Sequence, residues 1–152
     1  MPTTSSRFNK GITASLNISS TPSTYNKAKK MFNKVGMVIE LKKEQEMDIF
    51  TGLVGSGPAY FFYLLKAYEK RLIKLCNNDS ALTAKAMSGL LEGVALSLED
   101  GSSIDDLIKK VASKKGTTEA GLKSFKKNKL LSSFDKGISA AVNRSKEIAN
   151  ES

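Results

Sequence analysis

The feature that most constrains the fold is a short break in an apolar stretch that otherwise has a helical pattern. The break is Gly55-Ser56-Gly57-Pro58, and an uninterrupted apolar run covers residues 59–65 directly after it. Glycine frees the backbone for non-helical angles and leaves room for close approach. Ser56 suits an N-cap, and proline is tolerated in a first helical turn. We therefore expect a hinge at these four residues, where one helix ends and a second, deeply buried helix begins.

The chain from about residue 44 onward is helical in pattern throughout. Helices are predicted over about residues 44–54, 57–76 and 80–100, with a turn and cap from residues 77–79 and a terminating Gly101. Two capping boxes, Ser102 with Asp105 and Ser132 with Asp135, are expected to open the helix that ends at residue 112 and the helix that ends near residue 150. Between them, a further helix is expected to start near Thr118.

The first 43 residues have a different pattern. Residues 1–10 are expected to form a loop, with fraying at the very start. Alternation of apolar and polar side chains over residues 11–18 predicts one short strand, and a second strand is expected over residues 37–41. Between them, apolar residues at helical spacing predict one amphipathic helix that Gly36 ends. Two short strands are marginal alone, and their open edges invite pairing with another chain.

The two longest predicted helices indicate a partner. The run over residues 59–65 points apolar groups in every direction, so that helix has to be covered all round. The next helix is rich in residues small enough for neighbouring backbones to approach closely: Ala81, Ala84, Ala86, Ser88, Gly89, Gly93 and Ala95. A small helical domain has too few helices to cover the apolar helix on all sides, which favours an interlocked homodimer. The alternative is a tightly packed monomeric bundle.

Composition excludes several classes of protein. Hydrophobic residues make up 40% and charged residues 26% of the 152 residues, as in ordinary soluble globular chains. The longest apolar run is far shorter than the roughly 20 residues that span a bilayer, and no signal peptide is recognisable. A single cysteine, Cys76, fits a cytoplasmic protein. The absence of histidine argues against a zinc site and histidine-dependent nucleophiles, and no acidic cluster suggests another metal.

The net charge of +9 raises the question of nucleic-acid binding. Eight lysines lie between residues 109 and 129, against the single acid Glu119. Such a stripe could bind phosphates, but only Phe125 falls among the lysines, so no stacking platform accompanies them. The other interpretations are solvated helix faces and attraction of an anionic metabolite.

Several motifs in order resemble pyrroline-5-carboxylate reductase, the family of enzymes that makes proline. The likeness covers essentially the whole chain, but only the C-terminal half of the family and a little more. The matching segments are Met1-Pro2-Thr3-Thr4, Met47-Asp48, the Gly55 to Pro58 hinge, Ser113-Lys114-Lys115-Gly116-Thr117-Thr118 with Gly121-Leu122, and Arg144-Ser145-Lys146-Glu147. The resemblance implies a mainly α fold, with residues 44–152 as a helical dimerisation and substrate-binding domain. Residues 1–43 would be a strand–helix–strand remnant of a Rossmann-like nucleotide domain.

The resemblance also implies the site. Ser113, Gly116, Thr117 and Thr118 match the loop that holds the substrate carboxylate and ring, and Met1, Pro2 and Thr3 match a segment beside the nicotinamide of NADPH or NADH. Lys114 and Lys115 replace the family's Pro-Gly, and a lysine where glycine needs positive φ would cost about 1 kcal/mol. No catalytic residue is identified.

The glycine-rich turn G-x-G-x-x-G that holds a dinucleotide in such domains has no counterpart here, since residue 60 is Tyr after Gly55 and Gly57. By resemblance the function is reduction of 1-pyrroline-5-carboxylate to proline, by a truncated chain that is inactive unless a separately encoded nucleotide-binding half complements it. The alternatives are a non-catalytic dimerising relic or scaffold and, less favoured, a basic nucleic-acid-binding protein.

Overall fold

The computed structural model describes residues 1–151, which form a small parallel sheet followed mainly by helices. The elements are a 3₁₀ turn Thr4–Phe8, β1 Gly11–Ser15, α1 Pro22–Phe32, β2 Gly36–Glu40, α2 Gln45–Phe50, a π-helical turn Thr51–Gly55, α3 Gly57–Leu75, α4 Ser80–Leu98, α5 Ile104–Val111, α6 Thr117–Lys127 and α7 Leu130–Glu151. They divide into two compact units, one of residues 1–60 together with α7 from Phe134 onward, the other of residues 61–133. The mainly α fold with a strand–helix–strand segment is confirmed.

In the first unit β1 and β2 pair in parallel from Gly11 opposite Gly36 to Ser15 opposite Glu40. The two strand backbones approach closely at this first residue pair because both residues are glycine. A Cβ at Gly36, whose φ is +152°, would lie 1.9 Å from the Gly11 carbonyl oxygen. The first strand ends at Ser15, three residues earlier than expected. The reason is a local turn in which the Asn17 side chain bonds both the N–H and the carbonyl of Ser20.

The first three residues lie along the free side of β1, so the expected frayed loop is wrong there. Pro2 forms an antiparallel bridge with Thr13, and the Ala14 N–H donates to the Met1 carbonyl at 3.0 Å. The Ile12 N–H donates to the Thr3 hydroxyl at 2.9 Å. With neighbours on both sides, Thr13 and Ala14 are only 2% and 1% exposed.

The hinge differs from the expectation in its backbone angles. Neither Gly55 nor Gly57 has a positive φ, and Ser56 has right-handed helical angles of −85° and −16° instead of the extended angles of an N-cap. The Ser56 N–H donates to the Thr51 carbonyl, five residues back, at 2.9 Å. This i→i−5 bond widens the helix instead of ending it, so α2 continues through the π-helical turn almost directly into α3.

The C-terminal helix α7 packs on this turn. A Cβ at Gly52 would lie 2.6 Å from the backbone nitrogen of Val142, so the two backbones meet without a side chain between them. The Tyr60 hydroxyl donates to the Gly52 carbonyl at 2.8 Å, and the Ser145 hydroxyl donates to the Asp48 carboxylate at 2.8 Å. These contacts fix α2, the turn and α7 together.

In the second unit, helix ends follow the predicted turn chemistry with small shifts. Asn77 and Asn78 take left-handed angles, and the Asp79 carboxylate accepts from the Leu82 N–H at 2.9 Å to cap α4. The cap of α5 is Ser103, whose hydroxyl accepts from the Asp106 N–H at 3.2 Å. The predicted box at Ser102 and Asp105 is therefore one residue too early.

The capping box predicted at Ser132 and Asp135 is wrong. The last helix already begins at Leu130, so both residues lie inside α7. Lys129 lies between α6 and α7 and adopts a left-handed conformation, with a φ of +53°. Its carbonyl accepts from the Ser133 N–H at 3.0 Å. A single left-handed residue thus replaces the longer turn that the two serines suggested.

Little apolar surface is covered within one copy of the chain. Among the described residues, the hydrophobic side chains classed as buried are Ala14, Phe50 and Cys76. Within a single copy α3 is not covered, since Phe62 is 68% and Tyr63 is 75% exposed, as expected for a helix that one chain cannot enclose. Helix α4 is long and apolar enough in composition to cross a membrane, a property that it shares with core helices of soluble proteins.

Candidate functional site

The loop between α5 and α6 forms a tight turn around Gly116. The Gly116 N–H donates to the Ser113 carbonyl at 3.0 Å, and Gly116 has the extended angles of an N-cap, −83° and 173°. A Cβ at this position would lie 2.3 Å from the Ser113 hydroxyl oxygen. Glycine therefore lets the Ser113 side chain fold against the start of α6.

The start of α6 leaves donors free for a ligand. Thr117 and Thr118 occupy its first two positions, where N–H groups have no intrahelical acceptor. Gly116 has no side chain to cap them, and no side-chain cap bond is present. The two threonine hydroxyls add further donors, with Thr117 exposed and Thr118 half-buried. Such an end, with the positive pole of the helix dipole, favours a carboxylate.

Lys115 adopts the left-handed conformation that glycine would take more easily, with a φ of +58°. Its N–H donates to the carboxylate of Glu119, which lies in the first turn of α6. Glu119 also forms an ion pair with Lys123 at 2.7 Å. The hydrogen bond from Lys123, followed by that from the Lys115 N–H, lowers the pKa of the Glu119 carboxyl below its ordinary value. Sequence reasoning missed Glu119, although an acid three residues after an N-cap glycine is a recognisable capping signal.

The lysines around this loop are partly paired. Lys109 bonds Asp106 at 3.0 Å, Lys110 bonds Asp100 at 3.0 Å, and Lys123 bonds Glu119. All three lysines are more than half exposed at the side chain. This pattern of local helix pairs and solvated side chains fits the interpretation of solvated helix faces better than that of a phosphate-binding stripe.

In the first unit, the structure brings the chain start and the hinge together. The Thr51 hydroxyl lies 3.4 Å from the Met1 sulfur, and a Cβ at Gly55 would lie 2.8 Å from the Met1 methyl carbon. Pro2 and Thr3 are held on β1 as described above. Ser56 and Pro58 lie at the junction of the π-helical turn and α3. Ser113, Gly116, Thr117 and Thr118 belong to the second unit.

The turns that precede α1 and α3 lack the G-x-G-x-x-G spacing. The turn between β1 and α1, residues 16–21, contains no glycine, and the Thr21 hydroxyl already accepts from the Thr24 N–H. At the hinge, the Ser56 and Ala59 N–H groups donate to the Thr51 and Ser56 carbonyls. The Thr24, Ser56 and Ala59 N–H groups at these two helix starts therefore already have acceptors within the chain. Within residues 1–151 no group of three or more metal-ligating side chains is present.

Comparison with known proteins gives a consistent result. The family model for pyrroline-5-carboxylate reductase dimerisation matches residues 44–148. Pyrroline-5-carboxylate reductase 1 of Bacillus spizizenii is 36% identical over 109 residues, which cover 72% of this chain and 37% of that protein. The Staphylococcus epidermidis pyrroline-5-carboxylate reductase is 29% identical over 99% of this chain and 56% of its own length.

Solved structures of two relatives superpose on nearly the whole chain. The pyrroline-5-carboxylate reductase of Coxiella burnetii is 32% identical, with a TM-score of 0.82, over 97% of this chain and 55% of that one. The Plasmodium falciparum enzyme, solved with NADP bound, is 26% identical, with a TM-score of 0.83, over 97% of this chain and 60% of that one. The chain spans about half the length of the relatives that it matches. It belongs to the pyrroline-5-carboxylate reductase family, and its helical region is the family's dimerisation domain.

Proposed function

We propose that this chain supplies the substrate-binding and self-association half of an NAD(P)H-dependent reductase that converts 1-pyrroline-5-carboxylate to proline. The loop before α6 carries the proposal. It presents uncapped N–H groups at the start of α6, next to the Thr117 and Thr118 hydroxyls and the folded-back Ser113. Each charge-assisted bond to a carboxylate contributes about 1.5–3 kcal/mol, so two or three such bonds give micromolar to millimolar affinity for a small imino acid.

The hydride donor has to be held by residues outside these 152. NADP is bound in the related Plasmodium falciparum structure, which supports a nicotinamide cofactor for the reaction. In this chain the turns before α1 and α3 lack the glycine-rich spacing of a dinucleotide site, and the Thr24 and Ser56 N–H groups already donate to Thr21 and Thr51. The chain alone is therefore inactive, and a nucleotide-binding half, supplied as a separate polypeptide, restores turnover. The cofactor when bound supplies the hydride; the residues of this chain bind and orient the imino acid.

Self-association as a dimer or a larger assembly covers the helical surface. Large apolar side chains on α3 and α4 are exposed in one copy, among them Phe62, Tyr63 and Leu96. Gly89 and Gly93 on α4 face open space, where an added Cβ would meet nothing within 4 Å. A helix of another copy can approach closely at such positions. We place residues 44–152 in this domain, residues 1–43 in the nucleotide-domain remnant, and the protein in the cytoplasm.

The proposal is tested with purified chain in two assays. In the first, chain, 1-pyrroline-5-carboxylate and NADPH are mixed and the cofactor absorbance is followed; no turnover is expected. In the second, L-proline is titrated into the chain by NMR, and the amides of residues 115–118 are expected to shift at saturable micromolar to millimolar concentration. Turnover at ordinary enzyme rates refutes the claim of inactivity.

A matched pair of variants makes the binding assay specific. Thr118→Val removes a hydroxyl from the proposed site with little change in volume and should weaken L-proline binding. Thr24→Val, in the first turn of α1, removes a hydroxyl of the same kind outside the loop and should leave binding unchanged. Self-association without any proline binding would instead support the dimerising relic or scaffold.

A further inference from the structure

The left-handed residue in the loop before α6 has a stabilising contact of its own. Lys115, with a φ of +58°, is a lysine where the backbone favours glycine. Its N–H donates to the Glu119 carboxylate, which reaches back from the first turn of α6. In an ordinary capping box the acid bonds the N-cap N–H. Here the N-cap N–H, that of Gly116, donates to the Ser113 carbonyl instead, so Glu119 reaches one residue farther back.

We propose that Glu119 is a positioning residue that holds Lys115 left-handed and thereby aims the N–H groups of Thr117 and Thr118 at the substrate carboxylate. This inference rests on the proposed function for its ligand, but the loop geometry stands on the contacts alone. The Glu119 carboxylate on α6 accepts a hydrogen bond from the backbone N–H of Lys115, the residue before the N-cap. This bond holds the turn from Ser113 to Gly116 against the first turn of α6. Without it, the lysine backbone relaxes toward negative φ and the turn opens.

Substitutions of Lys123 and of Lys115 distinguish this positioning role from an ordinary surface ion pair. Lys123 pairs with the same carboxylate at 2.7 Å from the next turn of α6. Exposed pairs four residues apart on a helix contribute little. Removing Lys123 should therefore leave the turn intact, whereas removing Glu119 should open it. Glycine at position 115 needs no help to adopt a positive φ, so it should make the turn independent of Glu119.

The test measures amide hydrogen exchange at Gly116, whose N–H closes the turn, in the full chain. Glu119→Ala should speed this exchange about fivefold, the typical effect of a lost helix cap. Glu119→Gln, whose amide oxygen can still accept from the Lys115 N–H, should retain most of the protection. Lys123→Ala should match the unmutated chain within about twofold. In a Lys115→Gly background, Glu119→Ala should change the exchange by less than about twofold.

The same variants are then titrated with L-proline. Glu119→Ala should weaken binding about fivefold, in step with the exchange, and Lys115→Gly should restore it. Unchanged Gly116 exchange in Glu119→Ala, an equal effect of Lys123→Ala, or no rescue by Lys115→Gly overturns the proposal. If the unmutated chain binds no L-proline, the proposed function fails, while the exchange rates still decide whether Glu119 positions the loop.

Discussion

The contact between Gly52 and α7 gives a prediction that can be worked from the structure. In Gly52→Ala the new Cβ would lie 2.6 Å from the Val142 backbone nitrogen and from its Cγ2 carbon, and 2.8 Å from its Cα. Ordinary carbon contacts begin near 3.5 Å, so α7 or the π-helical turn has to move by most of an ångström. Backbone atoms cannot rotate away as a flexible side-chain end can. Overpacking of this kind costs about 1–3 kcal/mol.

Two hydrogen bonds make the displacement more costly. The Gly52 carbonyl accepts from the Tyr60 hydroxyl, and Ser145 on α7 bonds Asp48 on α2. Moving α7 away from the turn strains the bond between Ser145 and Asp48, and tilting the turn strains the bond between Tyr60 and Gly52. We expect Gly52→Ala to lower the free energy of unfolding by about 2 kcal/mol.

The assay is urea unfolding followed by circular dichroism at one fixed protein concentration, because self-association adds to apparent stability. The control is Gly137→Ala in α7, where a Cβ would meet no atom within 4 Å. Alanine in a helix interior is about 1 kcal/mol more favourable than glycine, so this variant should be more stable than the unmutated chain. If both variants stabilise the chain equally, the packing of the turn against α7 is refuted.

Three further predictions follow from other parts of the chain. Hydrogen bonds from the Ser102 N–H and hydroxyl, together with Lys110, lower the pKa of Asp100 from its ordinary 3.8 to about 2. Because the pKa is lower in the folded chain, the Asp100 carboxylate stabilises the fold above pH 4. Asp100→Asn should therefore be less stable than the unmutated chain above pH 4 in urea unfolding, and the difference should vanish as the pH falls through about 2. Phe62→Glu, on the exposed face of α3, should shift sedimentation toward the monomer, whereas Ile18→Glu, 79% exposed before α1, should not; equal sedimentation would exclude α3 from the interface. Lys115→Gly should raise the thermal midpoint, since it relieves a left-handed lysine at a gain of up to about 1 kcal/mol; a lower midpoint would contradict the strain.

Much of the fold could be predicted from local patterns. Alternation predicted β1, and helical spacing with the Asp79 cap predicted α1 and α4, because these features depend on residues close in sequence. The errors occur where the outcome depends on backbone detail. Whether Gly55 and Gly57 end a helix or widen it is decided by one bond from Ser56 to Thr51.

The candidate site was less accessible from the sequence. The donors of Thr117 and Thr118 follow from the Gly116 cap, and spacing alone could indicate them. The contact between Glu119 and the Lys115 N–H depends on a left-handed residue that lysine rarely adopts, so no propensity predicts it. The packing of α7 on the turn joins residues nearly a hundred positions apart, and only the three-dimensional structure shows it.

The central claim is that this chain binds an imino acid but not the reductant. The most direct test titrates the unmutated chain separately with L-proline and with NADPH and follows the backbone amides by NMR. We predict saturable shifts in residues 115–118 with L-proline and none anywhere with NADPH at millimolar concentration. Tight binding of NADPH to the chain alone, or L-proline shifts confined to other residues, would contradict the account.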